Sequence, residues 1–179
     1  MNYNSLKGMI NITRLPLNTT EHFELNKDVQ WVKELLQELN ENATTKDASD
    51  YLHNSYLNID LKITKKFKGT LGEYVLVEGK VESEYFTECI RTLDEMTDDL
   101  EFEFKAVFID DIHESEPEYH EETELYLDND MYELFYYKNR GADLKEMVHE
   151  LIFLHINQYP IKDPATPLNT DIQLGGTLQ

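Results

Sequence analysis

Cysteine and long apolar runs are almost missing from this 179-residue sequence. Cys89 is the only cysteine, and one thiol cannot close an internal disulfide, which excludes the small secreted folds that disulfides hold together. No apolar run exceeds four residues, as at Leu151–Leu154, whereas a membrane-spanning helix needs about 20. The first residues lack a charged region followed by an apolar run, so we expect no signal peptide and a cytoplasmic protein.

Basic side chains are scarce, since 16 lysines and arginines face 36 acidic residues and the formal net charge is −20. Nucleic acids and anionic membranes both attract basic side chains, so this balance disfavours them as partners and favours basic proteins or cations. The charge is also uneven, because residues 94–133 hold 17 acidic residues and one basic residue, Lys105. Direct RNA contact is therefore disfavoured around that segment and stays open elsewhere.

Hydrophobic periodicity predicts the elements of the N-terminal third. Residues 9–25 are expected to be extended, and residues 27–40 to form an amphipathic helix whose start is capped by Asn26 or Asp28. Residues 41–50 are rich in Asn, Thr and Asp, which is typical of a loop.

A period of two begins at Tyr56 and predicts the sheet. Strands are expected over residues 56–69, 74–86 and 100–109, because apolar and polar residues alternate in each. Gly79 lies inside the second of these strands and is a candidate β-bulge.

The C-terminal half combines an acidic stretch with a second helix. Residues 110–124 carry like charges too dense to pack, which predicts a mobile, solvated loop. Short strands are expected at about 125–127 and 132–137, and a buried helix over 144–157 with Asp143 as its cap. The consecutive strands flanked by helices favour one α+β domain.

The predicted domain covers residues 1–160 and contains a largely antiparallel β-sheet with two main helices packed against it. Residues 161–179 are rich in proline and glycine and predict a flexible C-terminal tail.

Motifs for catalysis and cofactors are missing from the sequence. It contains no phosphate-binding loop, no dinucleotide fingerprint and no nucleophile elbow. His113 and His120 lie in the acidic loop, where no helix or strand would fix ligand geometry, while His149 and His155 are six residues apart and do not share a helix face. The acidic neighbours of Cys89 are expected to raise the pKa of its thiol. We therefore predict no metal, no cofactor and no enzyme activity.

Two charged clusters are candidate partner-binding sites. The basic cluster is either a solvated strand end or a contact for RNA or an acidic partner; it consists of Lys62, Lys65, Lys66 and Lys68. The acidic cluster is a candidate contact for a basic partner; it consists of Glu114, Glu116 and Glu118.

Two stretches together resemble the sequence pattern of a known family. The first comprises Glu78–Val81, Thr87–Leu93 and the alternating strand Leu100–Ile109. It is similar to a motif in which a strand ends in C-x-R-C and an aromatic strand follows after a variable stretch. The second comprises Gly141–Leu144, Val148–Leu154 and Tyr159-Pro160. It is similar to a hydrophobic helix that begins with Asp-Leu, has an acidic residue before an apolar run, and ends with a proline.

The order of these stretches, with an acidic linker between them, resembles the YceD family, the large ribosomal RNA subunit accumulation proteins of bacteria and plastids. The resemblance covers roughly residues 57–164, with a looser N-terminal match. The positions that match the family's motifs are Gly79, Cys89, Arg91, Asp143, Leu144, Glu150 and Pro160.

The chain departs from the family at the cysteines. Thr92 stands where the motif has its second cysteine, and no cysteine follows Pro160, so the zinc or redox role that those cysteines suggest cannot operate in this chain. Cys89 is then expected to be a small buried apolar residue. Arg91 either contacts an acidic partner or pairs with a neighbouring carboxylate, Glu88 or Asp94.

The resemblance implies a non-enzymatic factor that supports accumulation or processing of large-subunit ribosomal RNA. The charge adds the hypothesis that an acidic surface binds a basic ribosomal protein or an assembly intermediate, with an indirect effect on RNA. Two alternatives remain: an acidic protein-binding or chaperone-like module unrelated to ribosomes, and a metal-assisted enzyme.

Overall fold

The computed structural model describes residues 7–43 and 48–162, without the side chains of residues 48 and 49. The predicted C-terminal tail therefore lies outside the described residues, apart from its first two. Eight strands and three α-helices are described in these ranges: β1 (Met9–Asn11), β2 (Thr20–Leu25), α1 (Gln30–Leu39), α2 (Ala48–Asn54), β3 (Tyr56–Lys68), β4 (Gly72–Glu88), β5 (Glu95–Asp110), β6 (Glu124–Leu127), β7 (Asp130–Tyr137), β8 (Gly141–Asp143) and α3 (Leu144–His155).

Six strands form one sheet in the order β2-β3-β4-β5-β7-β6, and β1 pairs with β8 in a separate two-stranded sheet. All neighbours in the large sheet are antiparallel except β5 and β7, which run parallel. The predicted α+β class with a largely antiparallel sheet is confirmed. The parallel pair requires a long connection, and the acidic stretch supplies it between β5 and β6.

The main core lies between one face of this sheet and the helices α1 and α3. Alternate residues of β3 point into it, and Leu57, Ile59, Leu61 and Ile63 are each at most 1% exposed. The apolar stripe of α1 and one face of α3 cover them. Burial of one such side chain stabilises the fold by about 1.5–3 kcal/mol, so the alternating pattern sets both the register and the buried face.

A second, smaller apolar cluster lies on the opposite face of the sheet, at one end. It joins Leu76 of β4, Val107 and Ile109 of β5, and residues of β6 and β7. Tyr119, from the acidic stretch, is 6% exposed and belongs to this cluster. The connection between β5 and β6 is thus packed against the sheet.

Gly79 is not a bulge. The pairing register runs without interruption through Leu61, Gly79 and Phe104 across β3, β4 and β5. A β-carbon built at Gly79 would lie 2.5 Å from Cε1 of Phe104, because the phenylalanine ring covers the glycine. The glycine is therefore required by the close approach of an aromatic ring.

The helices differ from the predictions in three respects, two at their boundaries and one in burial. The first helix begins at Gln30, and Asn26 accepts a hydrogen bond from Asp28 N in the turn before it, so neither residue caps the helix. Helix α2 begins within the stretch predicted to be a loop. At α3 the cap is confirmed, since Asp143 Oδ1 accepts from Glu146 N at 2.9 Å, but Leu154 is 68% exposed, so the helix is buried along one face only.

Candidate functional site

The two sequence stretches that carry the family resemblance meet at one end of the sheet. A turn after β4 is closed by hydrogen bonds from Cys89 N to Asp94 O and from Leu93 N to Cys89 O, at 2.9 and 2.8 Å. The chain that follows α3 lies against this turn, because Ile90 N donates to Pro160 O at 3.0 Å. Lys162 N lies 3.4 Å from Cys89 Sγ and donates to it.

The thiol of Cys89 is fully buried in this turn, as expected for a small core residue. The pKa of this thiol is lowered to about 7, whereas the prediction was a raised pKa. The Lys162 N–H contributes most, followed by the Thr92 hydroxyl, and these donors outweigh the opposing effect of burial. The acidic neighbours of Cys89 in the sequence give no indication of these donors, because Lys162 lies 73 residues away and reaches the sulfur only in the folded chain.

Replacement of Thr92 by valine is expected to raise the pKa of the Cys89 thiol, because the variant removes a hydroxyl donor without changing the side-chain shape. Thiolate absorbance near 240 nm should titrate with a midpoint near pH 7 in the unmodified protein and at higher pH in Thr92→Val. Thr92→Ser keeps the hydroxyl and is the matched control. An unchanged midpoint in Thr92→Val would show that the hydroxyl does not face the sulfur.

A groove of about 470 Å³ opens beside this turn, between the ends of α1, β4 and α3. Its lining includes exposed apolar side chains, with Ile90 at 49% and Leu93 at 68% exposure. Leu93 also has a φ of 60°, a left-handed conformation that is costly for a residue with a β-carbon. The turn thus holds an apolar side chain outward at a local energetic cost.

Both histidines of α3 have partners. His149 Nε2 lies 2.9 Å from Glu38 Oε1 and ties α3 to α1. His155 Nδ1 donates to Leu151 O, and its ring stacks on Phe102 with centroids 3.9 Å apart. Among the described residues, no group of three or more His, Cys, Asp or Glu side chains is arranged to hold a metal ion.

The acidic stretch is solvated along its carboxylates but anchored by two rings. Glu114, Glu116 and Glu118 are all exposed, in agreement with the prediction. His113 is 6% exposed and contacts Leu71 O through Nε2 at 3.1 Å and Glu116 through Nδ1 at 3.0 Å. The expectation of a mobile loop overlooked His113 and Tyr119, which fix the stretch to the second apolar cluster.

Lys65 does not belong to the same surface as the other three lysines of the predicted basic cluster, because it is buried on the opposite face of β3. Successive side chains of β3 point to opposite faces. Lys65 is 7% exposed, points to the same face as Ile63, and binds Ile12 O at 3.1 Å and Glu73 at 3.3 Å. Lys62 and Lys68 are exposed, and Lys66 is half-buried and lies 3.9 Å from Asp128.

The open face of the sheet, to which Lys62, Lys66 and Lys68 also point, is acidic across β4 and β5. Its rows on β4 and β5 are dominated by carboxylates: Glu78, Glu82, Glu84, Asp99, Glu101 and Glu103. Lys80 contacts Glu82 and Glu101, and Lys105 contacts Asp130, so the two lysines of these rows are already paired. The acidic stretch packs on this same face through Tyr119. Strand alternation therefore places Asp99, Glu101 and Glu103 on the side away from the helices, where Tyr119 also holds the acidic stretch.

The family positions outside the turn support the fold around it. Asp143 caps α3, Leu144 is fully buried, and Glu150 is exposed on the same helix. Pro160 is buried against the turn. Arg91 is half-exposed, directly after Ile90.

Comparison with known proteins identifies the family. A model of the large ribosomal RNA subunit accumulation protein YceD matches residues 77–177, which is more than half of the chain. The chain belongs to the YceD family. No curated protein and no solved structure matches the sequence.

The YceD match covers the elements that build the site. It begins within β4 and includes the Cys89 turn, β5, the acidic stretch and α3. The predicted resemblance began earlier, at residue 57, so β3 lies outside the matched span. The family's name links this chain to accumulation of the large-subunit ribosomal RNA. Within the described residues, no helix is long and apolar enough to cross a membrane.

Proposed function

We propose that this YceD protein is a non-enzymatic assembly factor that binds a basic ribosomal protein, free or within a large-subunit precursor. The observation that carries the proposal is the open sheet face. Its carboxylates stand in adjacent rows, Glu82 opposite Glu101 and Glu84 opposite Asp99, and the acidic stretch adds its own charges on the same side.

Like charges at directly opposite positions destabilise an isolated sheet. Lys80 offsets one such pair, Glu82 and Glu101, whereas Glu84 and Asp99 face each other one row further along. A protein can retain such an arrangement when a cationic partner relieves the repulsion in the complex. A ribosomal protein with exposed lysines and arginines is a partner of that chemistry.

The same field repels phosphates, so the effect on ribosomal RNA is indirect at this face. Binding of a basic protein before it reaches RNA would keep that protein soluble and ready for assembly. Depletion of the factor would then lower large-subunit RNA because unassembled precursors are degraded.

The expected result of a binding test is salt-sensitive association with at least one purified basic large-subunit protein. Screening between about 0.1 M and 1 M salt shortens the reach of surface charges from about 10 Å to 3 Å, so affinity should fall steeply over this range. The variant Glu114→Gln/Glu118→Gln/Glu122→Gln should bind about tenfold more weakly.

The control variant is Asp28→Asn/Glu41→Gln/Glu146→Gln, which removes the same number of exposed charges outside the acidic stretch and the open sheet rows. It should bind normally. Absence of salt-sensitive binding to any basic large-subunit protein or precursor particle would overturn the proposal. Capture of basic proteins without any large-subunit component would favour the chaperone-like module instead.

A further inference from the structure

One edge of strand β5 is only partly paired with another strand. Its partner on one side, β4, pairs with it from Glu95 to Phe108. On the other side β7 pairs only with Ala106–Asp110. Across the described residues, Met96–Phe104 therefore has no strand on its second edge, over a length of about 30 Å.

No other strand in the described part of the chain pairs with this edge. The strands that pair with β5 are β4 on one side and β7 on the other. Apart from the pairing with β4, the backbone hydrogen bonds of the described residues include none to Met96–Phe104. Asp99 N is bonded by the neighbouring Asp98 side chain at 3.0 Å, which is a local substitute for a partner strand.

An open edge of this length presents a row of unpaired N–H and C=O groups and is a template for another strand. Natural proteins block such edges with charged side chains, and β5 has these in Asp99, Glu101 and Glu103. All three are acidic. Lys105, at the end of the row, is already paired with Asp130.

Charge of one sign makes the edge selective. A second copy of this strand would place carboxylates against carboxylates, which is unfavourable for cross-strand neighbours. A strand with lysine or arginine at alternate positions would instead meet the carboxylates of Asp99 and Glu103, and between them Glu101, which Lys80 already contacts from β4. The charges thus oppose self-association and favour a basic extended segment.

The other side of the edge is apolar. Phe102 and Phe104 point to the helix-covered face and are 9% and 7% exposed. His155 stacks on Phe102, and the preceding residue of α3, Leu154, is 68% exposed. An added strand would therefore have exposed carboxylates on one of its faces, and on the other it would continue the largely apolar side of the sheet that α3 covers.

We propose that Met96–Phe104 binds an extended basic segment of a partner protein by strand addition, in line with β7 in the same sheet. Recognition comes from main-chain hydrogen bonds, with basic residues facing Asp99, Glu101 and Glu103 and apolar residues alternating with them. The proposal rests on the proposed function for the partner's charge and adds the site and the mode of binding.

The test uses a nine-residue peptide of alternating lysine and valine as the probe, added to the full chain. Amide hydrogen exchange followed by NMR should show at least tenfold slower exchange at every second amide of Met96–Phe104. The amides that already bond to β4 should change little. A control peptide of the same composition with alternate backbone amides N-methylated cannot complete the ladder and should not protect these amides. Equal protection by both peptides, or protection elsewhere only, would overturn the proposal.

Two charge-reversal variants distinguish binding at the β5 edge from general attraction to the negative charge of the protein. Asp99→Lys/Glu103→Lys should reduce peptide affinity at least tenfold, whereas Glu114→Lys/Glu118→Lys, with the same change in charge, should reduce it much less. The four residues are exposed, and circular dichroism and thermal unfolding would show that each variant is folded. Equal losses in the two variants would show attraction without strand addition and overturn the proposal.

The outcomes also separate this proposal from the proposed function. If a large-subunit protein bound in a salt-sensitive way and Asp99→Lys/Glu103→Lys did not weaken that binding, the proposed function would be supported and the strand-addition site would be ruled out. Protection of Met96–Phe104 by the peptide, with no binding of any large-subunit component, would do the opposite.

Discussion

Replacement of Gly79 by valine is expected to lower the free energy of unfolding by about 3 kcal/mol. A β-carbon at this position would lie 2.5 Å from Phe104 Cε1 and 3.0 Å from Leu61 Cδ2, and both side chains are buried. The ring of Phe104 would have to shift to make room, and Leu61 occupies part of the space beside it. For a chain of this length the loss corresponds to a fall in melting temperature of about 6–12 °C.

Glycine inside a strand usually weakens it, so propensity alone predicts that a larger residue at position 79 would stabilise the protein. Gly69→Ala is the matched control, because no described atom lies within 4 Å of the position its β-carbon would take. That variant should be neutral or more stable by up to about 1 kcal/mol.

Adding Phe104→Leu to Gly79→Ala should recover part of the stability that Gly79→Ala loses, because the smaller leucine side chain leaves room for the alanine methyl group. Denaturant unfolding of the two single variants and the double variant measures this coupling. A Gly79→Val protein as stable as the unmodified chain would contradict the covering of Gly79 by the ring.

The sequence predicted the strands well because their period of two is a local property. In β3, Leu57 to Ile63 alternate with polar residues, and one face of the sheet had to bury them. The same alternation predicts that Lys65 and Lys66 point to opposite faces, so the four lysines of the basic cluster cannot all share one surface. Whether two residues of a strand are an odd or an even number of positions apart therefore predicts a shared surface better than their closeness along the chain.

Contacts between distant segments were not predictable in the same way. The Cys89 turn and Pro160 belong to stretches that the family resemblance had already singled out, but nothing in either stretch indicated that they touch. Long-range hydrogen bonds such as that from Lys162 to Cys89 follow from the path of the chain after α3. The open edge of β5 depends in turn on where β7 begins to pair, at Ala106.

Replacement of Glu73 by alanine is expected to lower the free energy of unfolding by about 2–3 kcal/mol, because it leaves a buried cation without its counter-charge. Lys65 is 7% exposed, and its Nζ lies 3.3 Å from Glu73 and 3.1 Å from Ile12 O. Glu73 also binds Arg140, in the turn between β7 and β8, so the carboxylate joins three parts of the chain. Thermal and denaturant unfolding measure the loss.

The matched control is Lys65→Met/Glu73→Ala, which removes the buried cation together with its partner. Because methionine fills similar space without a charge, the double variant should be more stable than Glu73→Ala alone. A double variant that is less stable would show that the hydrogen bond from Lys65 to Ile12 O, and not the ion pair, holds the N-terminal segment to the sheet.

The pH dependence of stability gives an independent test of the same contact. The hydrogen bond from Arg140, supported by the one from Lys65, lowers the pKa of the Glu73 carboxyl below its ordinary value of 4.5. A carboxyl with a lowered pKa in the folded state stabilises the protein above its unfolded pKa, and this stability is lost as the pH falls below 4.5 through the folded pKa. Glu73→Gln cannot titrate, so its free energy of unfolding should fall less steeply in this range. Equal acid dependence of the two proteins would show that the carboxylate is not held by Arg140 in solution.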